Sequence, residues 1–198
     1  MIYVDFDRTL FDCDRFLSDL YILINKYDIT KEMFKECQNQ CKKKGFNPYI
    51  ILDLVKEKYS FDNNLITEIT NLMKKTNEYL YSDSIDFLKY LKSLNYEIVI
   101  LTKGNTDYQS EKIYNSKIDG LYDKLIVTMK HKGELNLNYP NGIFIDDNPT
   151  EILSIMEKKP KKVIRVQRDS SLYSNIVIDN EIDSFKSLKE IIDSKIIE

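Results

Sequence analysis

Short runs of apolar residues recur along the chain, and the segments between them carry apolar residues at helical spacing. The runs are continuous rather than alternating, which is typical of strands covered on both faces of a parallel sheet. They predict five strands, over residues 2–4, 97–101, 125–127, 142–145 and 162–166. Strands that alternate with helices in this way predict a doubly wound α/β fold with a Rossmann-like core.

Besides a helix after the second strand, three helices are expected in this core. The first covers residues 82–94 and stops at Asn95, a residue that readily takes a left-handed conformation at a helix end. Asn148 and Pro149 are a suitable N-cap and first residue for a second helix that runs through residue 156. Residues 184–196 predict a terminal helix.

The segment between the first two strands has a different, purely helical pattern. Five apolar residues form one helical stripe in its first part: Phe16, Leu17, Leu20, Leu23 and Ile24. A second helix is expected from the cap Thr30 to Gly45, a third from Asn47-Pro48, and a fourth over residues 62–75. Ordinary connections between a strand and a helix are far shorter. We therefore predict a helical cap over residues 13–79, inserted into an α/β core of residues 1–12 and 80–198.

Polar residues follow the predicted strands at the edge where open α/β sheets bind ligands. Asp5 and Asp7 follow the first strand, Thr102 and Lys103 end the second, and the pair Asp146-Asp147 ends the fourth. The loop after the third strand carries Lys130 and Lys132, with His131, the one histidine of the chain, between them. We therefore expect carboxylates, a hydroxyl and a lysine to meet at one edge of the sheet.

Such a set of side chains suits a limited range of chemistry. Clustered carboxylates repel one another unless a cation lies among them, and hard oxygen ligands favour Mg²⁺. An aspartate beside the metal can act as a nucleophile, and a second aspartate can act as general acid and then general base. A threonine hydroxyl and a lysine ammonium can hold the oxygens of a phosphoryl group. The residues thus meet the needs of phosphoryl transfer through a covalent aspartyl intermediate.

In order along the chain, these motifs resemble those of the haloacid dehalogenase (HAD) superfamily of phosphohydrolases. Its first motif, an apolar strand followed by Asp-x-Asp-x-Thr-Leu, matches YVDFDRTLF, and its second matches EIVILT. KHKG offers the lysine of the third motif, and GIFIDDNP matches the acidic fourth. The resemblance covers the whole core, and the helical insertion resembles the C1 cap of this superfamily.

The resemblance implies a role for each motif residue. Asp5 would be the nucleophile and a Mg²⁺ ligand, and Asp7 would be the acid/base with its backbone carbonyl on the metal. Thr102 and the motif lysine would bind the phosphoryl group, while Asp146 and Asp147 would complete the metal site. The presence of Asp7 implies a phosphatase or phosphomutase, since dehalogenases of the family lack this second aspartate.

Several neighbouring residues leave alternatives open. Lys132 is preferred to Lys130 as the motif lysine because it precedes Gly133, and Lys103 is a further candidate for phosphate binding. Arg8 stands where a glycine is commonest, so it is either a surface arginine or a contact to an anionic group of the substrate. Gln109 and Lys112, on the helix after the second motif, are expected to face solvent or the sheet.

Composition excludes several function classes. The 198 residues carry 29 basic and 32 acidic side chains, a net charge of −3, which gives no basic footprint for nucleic acid. No apolar run approaches a membrane span, and Asp5 and Asp7 interrupt the one that would begin a signal peptide. Three cysteines, an odd number, favour a reducing compartment and free thiols over a zinc site. We expect a cytoplasmic protein, and its oligomeric state stays open.

The functional expectation is a Mg²⁺-dependent phosphohydrolase that acts on a small phosphorylated metabolite. Two alternatives remain at this stage. The same residues would serve a phosphomutase, which transfers the phosphoryl group within a sugar. A non-catalytic binding or regulatory module on the same scaffold is the other, although such a module is expected to have lost carboxylates that are all present here.

Overall fold

A six-stranded parallel sheet forms the centre of the protein, in a computed structural model that describes residues 1–41, 44–56, 64–169, 172–173, 175–178 and 182–198. The strands are β1 (Ile2–Val4), β2 (Ile98–Lys103), β3 (Lys124–Thr128), β4 (Ile143–Asp146), β5 (Lys162–Val166) and β6 (Asp183–Phe185). Their order in the sheet is β3-β2-β1-β4-β5-β6. The chain therefore builds outward from β1 first on one side and then on the other, which creates a crevice at the ends of β1 and β4.

Eight α-helices are found within the described residues. Four precede the second strand: α1 (Cys13–Asn25), α2 (Lys31–Gln40), α3 (Pro48–Lys56) and α4 (Asn64–Met73). The other four are α5 (Ser84–Ser93), α6 (Thr106–Asn115), α7 (Pro149–Met156) and α8 (Leu188–Ser194). None of these helices is long and apolar enough to cross a membrane.

Apolar side chains alternate between the two faces of the sheet, because successive residues of a strand point to opposite sides. Ile2 and Val4 of β1 face the larger core, which also holds buried residues of α1, α5, α6 and α8. Tyr3 faces the other side, where it stacks on Phe144 at 4.4 Å between ring centroids and packs with residues of α7. Helices thus cover both faces, which confirms the doubly wound α/β prediction.

The end signals of several helices act as their sequence predicts. The Thr30 hydroxyl accepts a hydrogen bond from the Met33 amide at the start of α2, and Asn148 caps α7 ahead of Pro149. Asn95 has φ +58°, the left-handed conformation that ends a helix, just after α5. The capping side chains work because they accept hydrogen bonds from amides that a helix start leaves unpaired. The left-handed residue works because it turns the backbone out of the helix.

Two predictions at element ends were wrong. The terminal helix begins at Leu188 rather than at residue 184, because residues 183–185 form β6 and Ser187 supplies the N-cap. The second helix ends at Gln40 rather than at Gly45. The expected beginning of the fourth helix, at residue 62, lies outside the described residues.

The helices α1 to α4 pack together and also against the sheet layer. Phe16 of α1 lies 5.7 Å from Phe11 and 5.3 Å from Tyr79, measured between ring centroids. Phe46, in the loop before α3, meets Tyr108 of α6 at 5.5 Å. The four helices therefore lie over the edge of the sheet at which β1 and β2 end. The division of the chain into a cap of residues 13–79 and a core stays a prediction.

Candidate active site at the carboxyl edge of the sheet

A cavity of about 190 Å³ opens at the carboxyl ends of β1, β2 and β4. Its walls hold all eight residues that the sequence nominates as site residues: Asp5, Asp7, Arg8, Thr102, Lys103, Lys132, Asp146 and Asp147. Asn148, Glu151 and Tyr173 complete the lining. Three strand ends and one loop, far apart in sequence, thus bring the nominated residues into one place.

The parallel register of β1 and β4 brings three carboxylates together. Val4 is paired with Ile145, and the Asp5 amide donates a hydrogen bond of 2.8 Å to the Ile145 carbonyl, so the two strands end side by side. Oxygens of Asp5, Asp146 and Asp147 all lie within 4.8 Å of one another. All three side chains are buried, at 7%, 2% and 3% exposure. Three buried acids in such proximity require positive charge nearby.

Lys132 supplies part of that charge. Its Nζ donates hydrogen bonds of 2.6 Å to Asp5 Oδ1 and 2.5 Å to Asp146 Oδ2, and the side chain is only 2% exposed. Lys130, the alternative motif lysine, is exposed on the same loop. The structure therefore brings Lys132, and not Lys130, to the carboxylates.

A close approach between the lysine loop and α7 makes this geometry possible. Gly133 packs so tightly on α7 that a Cβ there would lie 2.0 Å from the Ser154 carbonyl oxygen. The Lys132 amide donates a hydrogen bond of 2.8 Å to Oε2 of Glu151, which also belongs to α7. The glycine and the glutamate together place the Lys132 backbone so that its side chain reaches the strand ends.

The single ammonium of Lys132 does not balance the charge of the three carboxylates. Burial and the neighbouring carboxylates raise the pKa of Asp147 well above its usual value, since these effects outweigh the attraction of Arg8 and Lys132. Burial also raises the pKa of Asp5, because it outweighs the attraction of Lys132, and the Asp146 charge adds to the rise. The site thus favours a bound cation or protons at these oxygens.

Thr102 presents a hydroxyl to the same cavity. Its side chain is 1% exposed, and Oγ1 has no hydrogen-bond partner in the part of the chain that the structure describes. A buried hydroxyl without a partner is costly, so such groups usually await a ligand or an ordered water. A phosphoryl oxygen is a suitable acceptor for it.

Asp7 lies apart from this cluster and is held by α6. Lys112 Nζ donates a hydrogen bond of 2.5 Å to Asp7 Oδ1, and Gln109 Nε2 donates one of 2.8 Å to Oδ2. Burial alone would raise the pKa of Asp7, but these two donors outweigh it and hold that pKa below its usual value. Of the two orientations expected for Gln109 and Lys112, towards solvent or towards the sheet, the one towards solvent was wrong, since both side chains are buried against Asp7.

Arg8 adopts a backbone conformation that explains why glycine suits its position. Its φ is +60°, in the left-handed region that side chains with a Cβ rarely adopt. The guanidinium donates to both carboxylate oxygens of Asp14, with NH2 2.6 Å from Oδ1 and Nε 3.0 Å from Oδ2. It also lies 5.7 Å from the centre of the Tyr173 ring. Arg8 therefore lines the cavity with its charge already paired to α1.

Glu151 of α7 organises the other side of the site. Besides the Lys132 amide, it accepts a hydrogen bond of 2.7 Å from Lys103 Nζ, and its Oε1 lies 2.9 Å from His131 Nδ1. Burial would raise the pKa of Glu151, but Lys103 and the other donors keep it below its usual value. Lys103 reaches the cavity, as the sequence suggests, while it is ion-paired to a glutamate that sequence reasoning missed.

Comparison with known proteins identifies the family. The sequence model of the haloacid dehalogenase-like hydrolases matches residues 2–154, which include every nominated site residue. The chain belongs to the haloacid dehalogenase-like hydrolases. A search of curated protein sequences gave no match.

Solved structures resemble this hydrolase over nearly its whole length. A haloacid dehalogenase-like hydrolase from Burkholderia xenovorans has a TM-score of 0.79 at 13% identity, over 97% of this chain and 94% of that one. L-2-haloacid dehalogenase from Xanthobacter autotrophicus has a TM-score of 0.64 at 12% identity, over 97% of each chain. A HAD phosphatase from Thermococcus onnurineus has a TM-score of 0.65 at 14% identity, over 98% of this chain and 96% of that one. At these identities the similarity establishes the fold alone.

The residues of this hydrolase fit a divalent metal ion. Asp5, Asp146 and Asp147 provide hard oxygen ligands within reach of one another, and Asp147 Oδ2 is buried without a hydrogen-bond partner among the described residues. Three carboxylates against one ammonium leave two negative charges, which a divalent cation would balance. In the ranges that the structure describes, no other group of three acidic, cysteine or histidine side chains has this geometry.

Sequence reasoning missed Gln109, Lys112 and Glu151. Gln109 and Lys112 do carry a usable signal, because they share one helical stripe with the buried Ile113 of α6. Glu151 lies in the first turn of α7, where an acidic residue is common for reasons of helix dipole alone. Its contacts with the lysine loop have no counterpart in the local sequence.

Proposed function

We propose that this hydrolase is a Mg²⁺-dependent phosphatase that cleaves a small phosphorylated metabolite through an aspartyl-phosphate intermediate. The observation that carries the proposal is the buried cluster of Asp5, Asp146 and Asp147, with one ammonium and the unpartnered Thr102 hydroxyl in the same cavity. The cluster supplies ligands for the metal, and the hydroxyl and Lys132 supply donors for a phosphoryl group.

The metal would be held by Asp5, Asp146 and Asp147, and the family resemblance adds the backbone carbonyl of Asp7. When bound, Mg²⁺ neutralises charge on the phosphoryl oxygens and on the nucleophile. The chain's own residues would do the rest of the chemistry. Thr102 and Lys132 would orient the phosphoryl oxygens, and Lys103 and Arg8 line the same cavity as further candidates for phosphate binding.

In the first half of the reaction, an Asp5 carboxylate oxygen attacks phosphorus. The bond between phosphorus and the substrate's bridging oxygen breaks as the bond to Asp5 forms. In its protonated form, which Lys112 makes the minor one by holding the pKa of Asp7 low, Asp7 gives its proton to the departing oxygen, so the leaving group departs as an alcohol.

In the second half, water attacks phosphorus and loses a proton to Asp7. The bond to Asp5 then breaks, which releases inorganic phosphate and restores both aspartates. The Asp7 carboxylate lies outside the cluster of Asp5, Asp146 and Asp147, which suits it to this proton transfer. Its oxygens contact α6 rather than Lys132.

Hydrolysis of a carbon–halogen bond is the activity of several proteins with this fold, so the choice between the two reactions rests on Asp7 and Asp147. A departing halide needs no proton, and the resemblance implies that dehalogenases lack the second aspartate. Asp147 adds a third carboxylate to the cluster, which favours a reaction that uses a bound cation. Both residues therefore favour phosphoryl transfer.

The proposal is tested with a panel of substrates. Purified protein is given 4-nitrophenyl phosphate, sugar phosphates, nucleotides, phosphoglycolate and 2-chloropropionate, each with Mg²⁺ and with EDTA. We expect release of inorganic phosphate that requires Mg²⁺ and no release of chloride. Chloride release without phosphatase activity would show a dehalogenase, and inactivity on the whole panel would favour a non-catalytic module. We propose a cytoplasmic setting, in keeping with three free cysteines.

A further inference from the structure

The ammonium group of Lys112 is buried among aromatic rings and ends on a single carboxylate. Its side chain is 0% exposed, and Nζ lies 5.4, 5.0 and 4.7 Å from the ring centres of Phe6, Phe11 and Tyr108. A buried ammonium is strongly destabilising unless an anion pairs with it. Its ion-pair partner is Asp7 Oδ1, at 2.5 Å. The Asp7 carboxylate is therefore the counter-ion that allows the Lys112 ammonium to be buried here.

Gln109 binds the other oxygen of the same carboxylate. Its Nε2 lies 2.8 Å from Asp7 Oδ2, and the side chain is 3% exposed. Gly104 provides the space, because a Cβ there would lie 2.8 Å from Gln109 Nε2. Gln109 and Lys112 are three residues apart on α6, so they project from one face of the helix. Both oxygens of Asp7 are thus held from the same side.

The hydrogen bonds place Asp7 between two cavities. Asp7 lines the 190 Å³ cavity that holds Asp5 and Thr102, and it also lines a neighbouring one of about 290 Å³. The second cavity lies between α6 and the helices that precede β2, with Leu17, Phe46 and Tyr108 in its walls. Asp5 lines only the first. A phosphate monoester with its phosphoryl group at Asp5 would thus place its bridging oxygen near Asp7.

We propose that Lys112 and Gln109 are positioning residues that hold the Asp7 carboxylate at this junction, aimed at the bridging oxygen of the substrate. The inference rests on the proposed phosphatase function, in which Asp7 transfers the proton. Neither residue lines the cavity around Asp5, so neither contacts the phosphoryl group there. Lys112 lines neither cavity and acts through Asp7, whereas Gln109 holds Asp7 and also borders the second cavity. Without them the carboxylate would be free to rotate away from the junction.

Poor positioning of a proton donor affects some substrates far more than others. The leaving group of benzyl phosphate is a strongly basic alkoxide, so cleavage of this substrate depends strongly on protonation of the leaving oxygen. The leaving group of 4-nitrophenyl phosphate is a stable phenolate, so cleavage of this substrate hardly depends on protonation. A defect of general structure would slow both substrates alike, so their ratio separates positioning from folding.

The test compares Gln109→Met and Lys112→Met with the natural protein on both substrates. Gln109→Met removes the donor, keeps nearly the same volume and leaves the Lys112 pair intact, so it serves where Lys112→Met fails to fold. Matched controls are Gln40→Met and Lys89→Met, which change exposed side chains on α2 and α5. Rates are referred to folded protein, measured by circular dichroism.

We expect each test variant to lose about ten-fold or more in kcat for benzyl phosphate and less than about three-fold for 4-nitrophenyl phosphate, with KM little changed. Controls should match the natural protein on both. Equal losses on the two substrates, or no loss, would overturn the positioning role while phosphatase activity stands. A natural protein inactive on both would overturn the proposed function itself, and the inference with it.

Discussion

The Lys132 ammonium donates a hydrogen bond of 2.6 Å to Asp5 Oδ1, although 127 residues separate the two in sequence. It is the one cation in direct contact with the buried cluster of Asp5, Asp146 and Asp147 among the described residues. The contact joins the predicted nucleophile to the predicted phosphate-binding lysine, and it makes the identity of that lysine testable.

Replacement of Lys132 by methionine should reduce kcat/KM for 4-nitrophenyl phosphate by about 10²-fold or more, since a buried donor to the reacting group is lost. Lys130→Met is the matched control, because that lysine lies two residues away and is exposed. Steady-state kinetics with Mg²⁺ checks both. If Lys130→Met loses as much activity as Lys132→Met, the assignment of the phosphate-binding role to Lys132 is contradicted.

Binding of Mg²⁺ should raise the thermal stability of the protein. At one hundred times its Kd, the ion is expected to add about 2.7 kcal/mol to the free energy of unfolding, which for a chain of this size raises Tm by about 5–10 °C. Asp147→Asn should reduce that gain, because it removes one ligand, and should raise Tm without metal, because it removes repulsion. Calorimetry with Mg²⁺ and with EDTA measures both effects, and Asp119→Asn, at an exposed position, is the control.

The pairing of Asp83 with Arg168 should make stability depend on acid. Asp83 Oδ1 and Oδ2 accept 2.8 and 2.9 Å hydrogen bonds from the Arg168 guanidinium. Burial would raise the pKa of Asp83, but Arg168 and backbone amides outweigh it, so the pKa lies below its usual value. A carboxylate with a lowered pKa stabilises the fold above its unfolded pKa, about 3.9, and loses that contribution as pH falls through the folded value.

Asp83→Asn should therefore lower the free energy of unfolding by about 3 kcal/mol near pH 7, because it leaves a buried arginine unpaired. The difference from the natural protein should hold down to about pH 5 and shrink below about pH 4. Urea unfolding between pH 3 and 7 measures it. Asp86→Asn changes an exposed aspartate in α5, the helix that Asp83 precedes, and should show no such profile. A difference that grows in acid would contradict the sign.

Gly133→Ala should disrupt the site through the backbone. Its Cβ would lie 2.0 Å from the Ser154 carbonyl oxygen, so the lysine loop must move away from α7, at a cost of about 1–3 kcal/mol in free energy of unfolding. Activity should fall further than stability does, because Lys132 moves with the loop. Gly120→Ala, where a Cβ meets nothing within 4 Å, should cost about 1–2 kcal/mol through its φ of +78° and leave kcat/KM unchanged.

The strands and the motif residues could be predicted from sequence because each has a local signal. Continuous apolar runs such as residues 98–101 mark buried parallel strands, and polar residues just after them must lie at the sheet edge. Strand β6 has no such signal, since Asp183 and Ser184 are polar residues on an exposed edge strand. Its pairing depends on β5 and not on its own composition.

The support of Asp7 could not be inferred in the same way. A lysine on a helix is nearly always solvated, so Lys112 is expected outside the core unless its partner is known. That partner lies 105 residues earlier in the chain, and the pairing follows from the packing of α6 against the β1 turn. Arg8 is similar: its unusual identity is visible in sequence, while its φ of +60° and its pairing with Asp14 are not.

The central claim is that Asp5 forms the covalent intermediate with the phosphoryl group. Hydrolysis of 4-nitrophenyl phosphate with Mg²⁺, by the natural protein and by Asp5→Asn, tests it most directly. Asn keeps the shape of the side chain but is a far weaker nucleophile, so the account predicts a loss of at least about 10³-fold in kcat with the fold intact by circular dichroism. Phosphatase activity in Asp5→Asn that is equal to that of the natural protein would contradict it.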